Sequence, residues 1–477
     1  MRLCGEVDPV CCNRLAPHKK GLSRRLVLCT LPASMQQANL GMIGGGTVGS
    51  GVVHALQRNA ALMASRIGVK VHLRKVAVKA FDEPRPYPIP QELLSTDWRA
   101  VVNDPEVHIV AELAGGVTLA REMVLTALRL GKPVVTANKA LLSARGEELF
   151  KAARDHGANL YYEASVCGGI PIIKSLREGF VGNRITSLYG IVNGTCNYIL
   201  TRMKQEGADF DTVLADAQKQ GYAETPPDLD IDGWDAQHKT GILASLAHGF
   251  WVNPKQIHVE GIRGVSRFDM QFANQLGYTI KLLGVVKAGS EARASRKGAA
   301  KRSIQVSVYP GLVPNTHVLA SVNGVFNAVF VRGDVVGDTL FYGRGAGKDA
   351  TASAVLSDLA DAALDLKYKS NSRVPPFVPH ERDGAILPMD EVISRYYVRL
   401  SVVDKPGVFA KIAAILACAK IGISSIIQPE GHEGETVPVI LMIHDAPNAA
   451  MRRALASIAR LAVVKGEPVM IRVENFE

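Results

Sequence analysis

The chain has 477 residues, enough for about three domains of ordinary size. It is 47% hydrophobic but has no uninterrupted apolar run near the length of a membrane span, which argues against a membrane protein. The net charge of +10 is concentrated in residues 1–34 (+4) and 287–302 (+5), so the near-neutral remainder argues against a nucleic-acid partner. Seven mostly unclustered cysteines favour a reducing compartment, and we expect the cytoplasm.

Residues 1–34 differ in character from the rest of the chain. They contain four of the seven cysteines and show no clear hydrophobic periodicity. A secretory signal is a poor match because the apolar stretch Leu26–Leu31 is short and acidic residues interrupt the segment before it. We expect a disordered extension, or sequence upstream of a genuine start at Met35.

A glycine-rich turn follows the first predicted strand. Leu40–Ile43 is short and apolar, and three glycines follow at G-x-G-x-x-G spacing before a predicted helix. Such glycines permit a tight turn and let phosphates approach the backbone amides of the helix N-terminus. Strand, turn and helix together predict a dinucleotide site. The residues expected to contact the dinucleotide are Gly44, Gly46, Thr47, Val48 and Gly49.

The second predicted strand ends near Val78, where an NAD-specific site would place an acid for the ribose hydroxyls. This chain has Lys79 instead. Because a cation suits a 2′-phosphate, NADP(H) is the expected cofactor, with NAD(H) as the alternative. If Lys79 has no cofactor role, it is a solvent-exposed residue at a strand end.

Two further predicted strands end in candidate ligand residues. The stretch HIVAELAGG ends in a glycine turn that includes Gly115, and PVVTANKAL places Lys139 directly after its strand. Open α/β sheets bind ligands at the carboxyl ends of their strands, so both positions are candidates for the cofactor site. The alternative for Lys139 is a surface residue that caps a helix.

A third glycine-rich turn, after the strand ANLYYE, precedes a helix opened by Pro171. The carboxylate of Glu163 and the carbonyl groups of this turn are oxygen ligands of the kind that hard cations prefer. Spacing alone does not distinguish a monovalent from a divalent ion.

The segment Gly221–Lys239 concentrates five carboxylates before a single lysine. Two consecutive prolines predict a loop in its first half, and helical periodicity begins at Trp234. Asp235 and Lys239 then lie on one helix face, where the acid holds the ammonium in place and keeps it charged. An isolated Asp/Lys pair at this spacing is usually a surface ion pair. Because this pair occurs together with a nucleotide domain and Lys139, we interpret it as a candidate catalytic site. The five carboxylates are Glu224, Asp228, Asp230, Asp232 and Asp235.

After Arg184 the pattern changes to that of an α+β domain with a broad sheet. Residues 343–347 then precede a long helix, which predicts either a second phosphate-facing loop with a helix returning to the nucleotide domain, or an ordinary turn before a structural helix. Residues 369–393 have the composition of a linker. From residue 394 the predicted order is βαββαβ, a ferredoxin-like module without a catalytic constellation, so we expect a binding or regulatory role.

A split nucleotide domain, an acidic segment with Asp and Lys, two strand-end lysines and a small C-terminal module occur together in this chain. This combination resembles homoserine dehydrogenases that carry a C-terminal ACT domain, and the resemblance covers residues 35–477. Its most specific part is the family signature, which runs from an alanine through G-Y/F-A and P-x-x-D-x-x-G-x-D to a lysine. Pro226 departs from the family pattern, which has Asp, Asn or Ser there. The residues that fill the signature are Ala217, Gly221, Pro227, Asp230, Gly233, Asp235 and Lys239.

The resemblance implies a role for each matched residue of the acidic segment. Lys239 is similar to the proton donor to the substrate's carbonyl oxygen, and Lys139 to a second lysine near both nicotinamide and substrate. Glu224 resembles the residue that binds the substrate's α-ammonium, and Asp230 and Asp235 resemble supporting acids. The carboxylates left without a role, and expected to face solvent, are Asp228 and Asp232.

Other matches concern the cofactor, a cation and regulation. The loop with Gly345 and Gly347 is implied to close on the cofactor, although Ala350 stands where the family usually has proline. Lys79 takes the place of an arginine common in the family. The segment DKPGVFAKIAAIL resembles the strand-turn-helix of an ACT domain, for which threonine is the expected effector. A sodium ion is implied, held largely through carbonyls, at Glu163, Val166, Gly168 and Ile170.

The predicted fold is α/β: a Rossmann-type nucleotide-binding domain with an inserted α+β substrate and dimerisation domain and a C-terminal ferredoxin-like ACT domain. We expect a homodimer or homotetramer. The expected segments are an extension (1–34), a nucleotide-binding domain (35–165, completed by 343–368), a catalytic and dimerisation domain (166–342), a linker (369–393) and an ACT domain (394–477).

The implied activity is the reversible NAD(P)H-dependent reduction of L-aspartate 4-semialdehyde to L-homoserine in threonine, methionine and isoleucine biosynthesis, with feedback by threonine. One alternative is a catalytically silent amino-acid sensor, which the presence of Lys139, Glu224 and Lys239 disfavours. The other is a dehydrogenase of a different small amino-acid semialdehyde. Burial and a second lysine would lower the pKa of Lys239 while Asp235 would raise it, and the sequence does not decide between them.

Overall fold

The structure, a computed structural model, describes residues 36–289, 303–370, 373–381, 384–429, 432 and 434–476. The predicted extension 1–34 and most of the basic segment 287–302 lie outside these residues. Within the described ranges, no helix combines the length and the apolar character needed to cross a membrane.

Residues 36–162 alternate strands and helices. These elements are β1 (Gln37–Ile43), α1 (Thr47–Ile67), β2 (Lys70–Ala77), β3 (Leu94–Ser95), α2 (Trp98–Val102), β4 (Ile109–Glu112), α3 (Thr118–Arg129), β5 (Val134–Thr136), α4 (Lys139–Asp155) and β6 (Leu160–Tyr161). All six strands are parallel, in the order β3-β2-β1-β4-β5-β6. That order reverses between β1 and β4, and the crevice at such a reversal is where dinucleotides bind.

Residues 163–370 build a second layer around an antiparallel sheet. The elements are α5 (Ile172–Lys174), β7 (Ile185–Ile191), α6 (Gly194–Glu206), α7 (Phe210–Lys219), α8 (Asp228–Ile231), α9 (Trp234–His248), β8 (His258–Val259), α10 (Arg267–Gln275), β9 (Tyr278–Ala288), β10 (Ser303–Pro314), β11 (Phe326–Gly333), β12 (Gly337–Arg344) and α11 (Lys348–Tyr368). Helix α11 returns to the parallel sheet and shares a buried core with α1. A Cβ at Gly51 of α1 would lie 2.7 Å from the carbonyl oxygen of Lys348, so the two helices touch through backbone.

The C-terminal elements are β13 (Ala385–Ile386), β14 (Ile393–Val403), α12 (Val408–Cys418), β15 (Ile423–Ile427), β16 (Thr436–Pro447), α13 (Asn448–Ala459) and β17 (Val469–Val473). From β14 to β17 they follow the order βαββαβ, and the strands are antiparallel in the order β17-β14-β16-β15. We call this unit the C-terminal module. Strand β17 also pairs in parallel with β10, which joins the module to the second sheet, and β13 from the predicted linker pairs with β10 as well.

One expectation for the acidic segment was wrong. The part before Trp234, predicted as a loop, contains the helical turn α8. Pro227 occupies the position before this turn, where the missing amide donor costs nothing, so the proline pair begins a turn rather than preventing one. Asp228 and Asp232, expected to face solvent, have side chains 58% and 32% exposed, and both also form ion pairs with Arg263.

Candidate active site

The glycines of the turn after β1 meet three different requirements. Gly44 has φ +105°, and a Cβ there would lie 2.5 Å from a backbone carbonyl oxygen of the turn after β4. A Cβ on Gly49 would lie 2.0 Å from the carbonyl oxygen of Gly44, so α1 packs on the turn only without a side chain. Gly46 has open space around it, which leaves the first amides of α1 accessible to an anionic group. Thr47 is exposed and Val48 half-buried beside this opening.

The turn after β4 is held together by a buried acid. The carboxylate of Glu112 accepts hydrogen bonds from the amides of Ala114 (3.0 Å) and Gly115 (3.1 Å) and from the hydroxyl of Thr136 (2.7 Å). Burial raises the pKa of Glu112 in spite of these bonds. Gly115 has φ +75° and open space around it, so a ligand can approach here too. Sequence reasoning did not select Glu112, although an acid inside an apolar strand was a usable signal.

Two cationic side chains follow the second strand. Lys79 lies two residues beyond β2 and is exposed. Arg85 donates from Nη2 to the carbonyl oxygen of Ala80 at 3.2 Å, and its buried Nε has no partner in the described part of the chain. Both lie after the strand whose end faces the ribose in this fold. Arg85 was missed because it comes from a loop with no periodicity to relate it to β2.

The carboxylate of Asp235 lies between two lysine side chains. Lys239, one turn further along α9, donates from Nζ to Asp235 Oδ2 at 2.7 Å and to the carbonyl oxygen of Val192 at 2.8 Å. Lys139, the first residue of α4, has its Nζ 3.1 Å from Asp235 Oδ1. The two lysines that stand 100 positions apart in the sequence therefore meet at one carboxylate.

This ion pair determines the protonation state of the buried lysine. Burial opposes a charge on Lys239, but the adjacent Asp235 outweighs burial and the pKa of Lys239 is raised. Burial likewise opposes ionisation of Asp235, but Lys239 and Lys139 hold the pKa of that carboxyl well below its ordinary value. The question that the sequence left open is thus resolved in favour of Asp235. Lys239 keeps its proton near neutral pH, which is the state of a proton donor.

Asn193 positions the acids around Lys239. Its Nδ2 donates to Asp230 Oδ1 at 2.7 Å and to Asp235 Oδ2 at 2.9 Å. Its Oδ1 accepts the amide of Cys196 at 2.8 Å and so caps the N-terminus of α6. Burial raises the pKa of Asp230. Sequence reasoning missed Asn193, and the signal for it was an asparagine directly after an apolar strand and before a helix.

These groups line a cleft of about 430 Å³. Its size suits a small amino acid together with the reactive end of a larger ligand. Gly345 does not line the cleft itself but packs against Asn327, which does. A Cβ at Gly345 would be 2.0 Å from Nδ2 of Asn327. The buried Oδ1 of Asn327 has no hydrogen-bond partner among the described residues. The expected site residues in the lining are Lys139, Glu224, Asp230, Asp235, Lys239 and Gly347; those not selected from the sequence include Asn193, Thr195, Asn327 and Arg344.

The side chain of Glu163 is bonded to the start of a helix. Its two carboxylate oxygens accept the backbone amides of Ile173 (2.9 Å) and Lys174 (2.7 Å) at the start of α5. Burial raises the pKa of Glu163. Each carboxylate oxygen keeps a further lone pair, so a contribution of Glu163 to a cation site stays a prediction.

The carbonyl groups of the same turn remain candidates for a cation. In the described ranges, the carbonyl oxygens of Val166 and Gly168 accept no hydrogen bond, whereas that of Ile170 accepts the amide of Ile172 at 2.8 Å. Neutral carbonyl donors of this kind fit a monovalent ion, which needs less charge balance than a divalent one. Among the described residues, no group of three or more His, Cys, Asp and Glu side chains is arranged to hold a metal ion.

Comparison with known proteins gives the same family for both halves of this site. A model described as homoserine dehydrogenase matches residues 171–360, and one described as homoserine dehydrogenase, NAD binding domain, matches residues 44–163. The homoserine dehydrogenase of Pseudomonas aeruginosa is 42% identical over 449 residues, which cover 93% of this chain and 100% of that protein. That of Bacillus subtilis is 37% identical over 92% of this chain and 99% of that protein.

Solved structures agree with these matches. A homoserine dehydrogenase from Thiobacillus denitrificans has a TM-score of 0.85 at 42% identity and covers 93% of this chain and 99% of that one. A hyperthermophilic archaeal homoserine dehydrogenase in complex with NADPH has a TM-score of 0.56 at 26% identity, over 69% of this chain and 98% of that one. With this fold, this cleft and relatives of such identity over nearly their whole length, the chain belongs to the homoserine dehydrogenase family.

Proposed function

We propose that the chain catalyses the reversible NADP(H)-dependent reduction of L-aspartate 4-semialdehyde to L-homoserine, and that the cleft around Asp235 is its active site. The observation that carries the proposal is the meeting of Lys139 and Lys239 at this carboxylate, in a cleft lined by groups from both sheets. NADPH supplies the hydride when bound. The chain's own residues must then hold the amino-acid aldehyde and provide a proton.

Lys239 is the proposed proton donor. Hydride addition places negative charge on the carbonyl oxygen, and a positioned ammonium group stabilises that charge and then transfers its proton. The raised pKa of Lys239 keeps the donor charged near neutral pH. In the reverse direction the same nitrogen must accept the hydroxyl proton of homoserine, so oxidation should be faster at higher pH. Lys139, a third exposed, adds a second positive charge at the cleft.

The acids of the cleft have separate proposed roles. Glu224 is exposed at the cleft and is proposed to bind the substrate's α-ammonium group. Asp230 is half-buried and fixed by Asn193, so it can shape the pocket without moving. Asp235 holds both lysines in place and is proposed to act as a positioning residue rather than as a base, because its pKa is strongly lowered.

For the cofactor we propose NADP(H) over NAD(H). Support comes from Lys79 and Arg85 after the second strand, where a 2′-phosphate would lie. The archaeal relative in complex with NADPH is consistent with this preference. The remaining proposed contacts are the turn residues Gly44, Gly46, Thr47, Val48, Gly49 and Gly115, with Lys139, Gly345 and Gly347 closing from the other side.

A sodium ion is proposed for the turn that follows β6. The carbonyl oxygens of Val166 and Gly168 would hold it, with Glu163 and Ile170 contributing through their backbone, since the Glu163 carboxylate is already bonded. Its charge would fix the turn that connects the parallel sheet to α5.

The C-terminal module is proposed to be an ACT-type effector domain with threonine as its ligand, on the strength of its βαββαβ order. The enzyme is proposed to act in the cytoplasm as a homodimer or homotetramer. An edge strand supports this assembly: β12 pairs on one side only in the described sheet and exposes Leu340 and Tyr342 to about half of their surface.

The experiment that tests the proposal is an assay of homoserine-dependent reduction of NADP⁺, repeated with NAD⁺ and with other small amino-acid alcohols. We expect homoserine to have the highest kcat/KM of the panel and NADP⁺ to be preferred. Turnover with none of the alcohols would instead support the sensor alternative, and turnover with another alcohol only would support a dehydrogenase of a different semialdehyde.

A further inference from the structure

We propose that Arg472, in the last strand of the C-terminal module, is a positioning residue for the substrate cleft. It acts through Glu260 on the segment 258–263, which we call the linking segment, and through that segment on α8, the helical turn that carries Asp230. The inference rests on the proposed role of Asp230 in the substrate site.

The first contact in this series is made by the buried guanidinium group of Arg472. The side chain of Arg472 is only 1% exposed, and its two terminal nitrogens donate to the carboxylate of Glu260 at 2.7 and 3.1 Å. It also donates to Asn448 Oδ1 at 2.9 Å and lies 4.6 Å from the ring centre of Tyr309. A forked, two-bond contact of this kind constrains the direction as well as the distance of its partner.

Glu260 is fixed on the other side by the second sheet. Its carboxylate lies 2.7 Å from Nε2 of His258, and its amide donates to the carbonyl oxygen of Val308 at 2.8 Å. Burial opposes ionisation of Glu260, but His258 and Arg472 lower its pKa to about 2. The carboxylate is therefore charged near neutral pH, where it pairs with the guanidinium group of Arg472.

The linking segment then lies directly against α8. A Cβ on Gly261 would be 2.3 Å from the carbonyl oxygen of Ile231, and the amide of Ile262 donates to that same oxygen at 2.8 Å. Arg263 forms ion pairs with the carboxylates that begin and follow α8. The last turn of α8 is thus held by backbone contact, a hydrogen bond and two ion pairs that all come from three consecutive residues.

The far side of α8 faces the substrate cleft. Asp230 lies one residue before Ile231, and its carboxylate lines the cleft and bonds to Asn193. Because Gly261 leaves no space between the linking segment and Ile231, a shift of that segment must move the α8 backbone and Asp230 with it. The position of the module therefore sets the position of a substrate-site acid.

The module offers a matched control. Arg399 also reaches from the module to a buried carboxylate, donating to Asp269 of α10 at 2.7 and 3.1 Å. Asp269 bonds otherwise to Ser266 and Tyr397, and none of the described hydrogen bonds of Arg399 or Asp269 reaches residues 221–239. Both arginines dock the module with similar geometry, but only Arg472 connects to the acidic segment.

The test compares full-length Arg472→Met and Arg399→Met in steady-state oxidation of homoserine, with thermal unfolding measured on both. We expect Arg472→Met to raise the KM for homoserine by about three- to thirtyfold, the size of coupling found between packed sites, while kcat and the KM for NADP⁺ stay within about twofold. Arg399→Met should lower stability similarly but leave all three constants within about twofold. Arg472→Lys, which keeps the charge, should recover part of the loss.

Equal changes in the KM for homoserine in the two variants would overturn the proposal. So would an equal rise in the KM for homoserine and the KM for NADP⁺ in Arg472→Met. In either case weaker docking of the C-terminal module alone would explain the result. If Arg472→Met fails to fold, Gly261→Ala decides: its Cβ meets Ile231 without touching the module, and an unchanged KM for homoserine there also overturns the proposal. Loss of activity in the unsubstituted enzyme would contradict the proposed function instead, so the two failures are distinguishable.

Discussion

Two buried lysines in the layer around the antiparallel sheet have pKa values shifted in opposite directions. Lys239, 7% exposed, has a raised pKa because Asp235 lies 2.7 Å from its nitrogen. Lys281, 1% exposed, has its pKa lowered to about 7 by burial and by the positive charge of Lys204.

The difference lies in the partners, not in the depth of burial. Lys281 donates to the carbonyl oxygen of Val322 and to the amide oxygens of Asn197 (3.1 Å) and Asn323 (3.3 Å). These are neutral acceptors, and in the described part of the chain Lys281 has no salt bridge. Neutral acceptors do not offset the loss of water around an ammonium group, whereas one carboxylate does. A buried lysine therefore keeps its proton near neutral pH when a carboxylate lies beside it, and is only partly protonated there when all its partners are neutral.

The largest expected effect comes from removing the charged lysine. Lys239→Met should lower kcat for homoserine oxidation by about a thousandfold, since the variant loses both the proton transfer and the charge next to the reacting oxygen. Steady-state kinetics with a circular-dichroism check of folding measures it. Lys281→Met is the control, and a comparable loss in that variant would remove the distinction between the two lysines.

Removing the carboxylate of Asp235 should give Lys239 a lowered pKa like that of Lys281. Asp235→Asn leaves Lys239 with neutral partners and with Lys139 close by, so the pKa of Lys239 should fall. Under the proposed mechanism homoserine oxidation needs the neutral amine of Lys239, so the inflection in its pH–rate profile should move to lower pH. We expect kcat at the new optimum to fall by about 10- to 100-fold because the lysine is less well oriented. An inflection that stays in place would show that Lys239 is not the titrating group.

Lys139 should have a smaller effect because it is one contact further from the proton. Lys139→Met removes a charge that helps to hold Asp235 ionised, and we expect kcat/KM for homoserine to fall by about 10- to 30-fold, a loss of about 1.4–2 kcal/mol in transition-state stabilisation. The pH–rate inflection should rise slightly, since Lys239 loses a like-charged neighbour. Kinetics over pH 6 to 10 measures both, and a shift to lower pH would contradict this arrangement.

The smallest effect on activity, with a distinct effect on stability, belongs to Lys281. Its folded pKa of about 7 lies below the ordinary value of 10.5. Between these two pH values the unfolded chain binds more protons, so the free energy of unfolding should rise with pH by up to about 1.4 kcal/mol per unit through this residue. Lys281→Met should flatten that rise in urea unfolding at pH 7, 8 and 9, with kcat within about threefold of wild type. Identical slopes for variant and wild type would mean that Lys281 is not neutralised.

Local patterns in the sequence were enough to predict the parts of the site that lie within one element. The glycine turn after β1 and the Asp235–Lys239 pair depend on spacing within a single strand-turn-helix or a single helix, and both are observed. The position of Lys139 after its strand predicted the correct edge of the sheet, but its contact with Asp235 is a tertiary contact that no periodicity encodes.

Two of the residues that sequence reasoning missed depend on long-range contacts. Asn193 bonds to acids about 40 positions away, and Arg472 reaches Glu260 across 212 positions. The prediction that the two prolines exclude a helix was wrong in one place, because Pro227 lies directly before the helical turn α8. Such contacts depend on how β17, β10 and the linking segment pack, which is decided by the whole fold.

The proton-donor role of Lys239 is tested most directly by chemical rescue. Lys239→Ala leaves space for a small amine next to Asp235, in a cleft that opens to ligands. Turnover of homoserine by this variant should be low and should rise with added methylamine, while Lys281→Ala and wild type should not respond. Turnover close to wild type in Lys239→Ala without any amine would contradict the account.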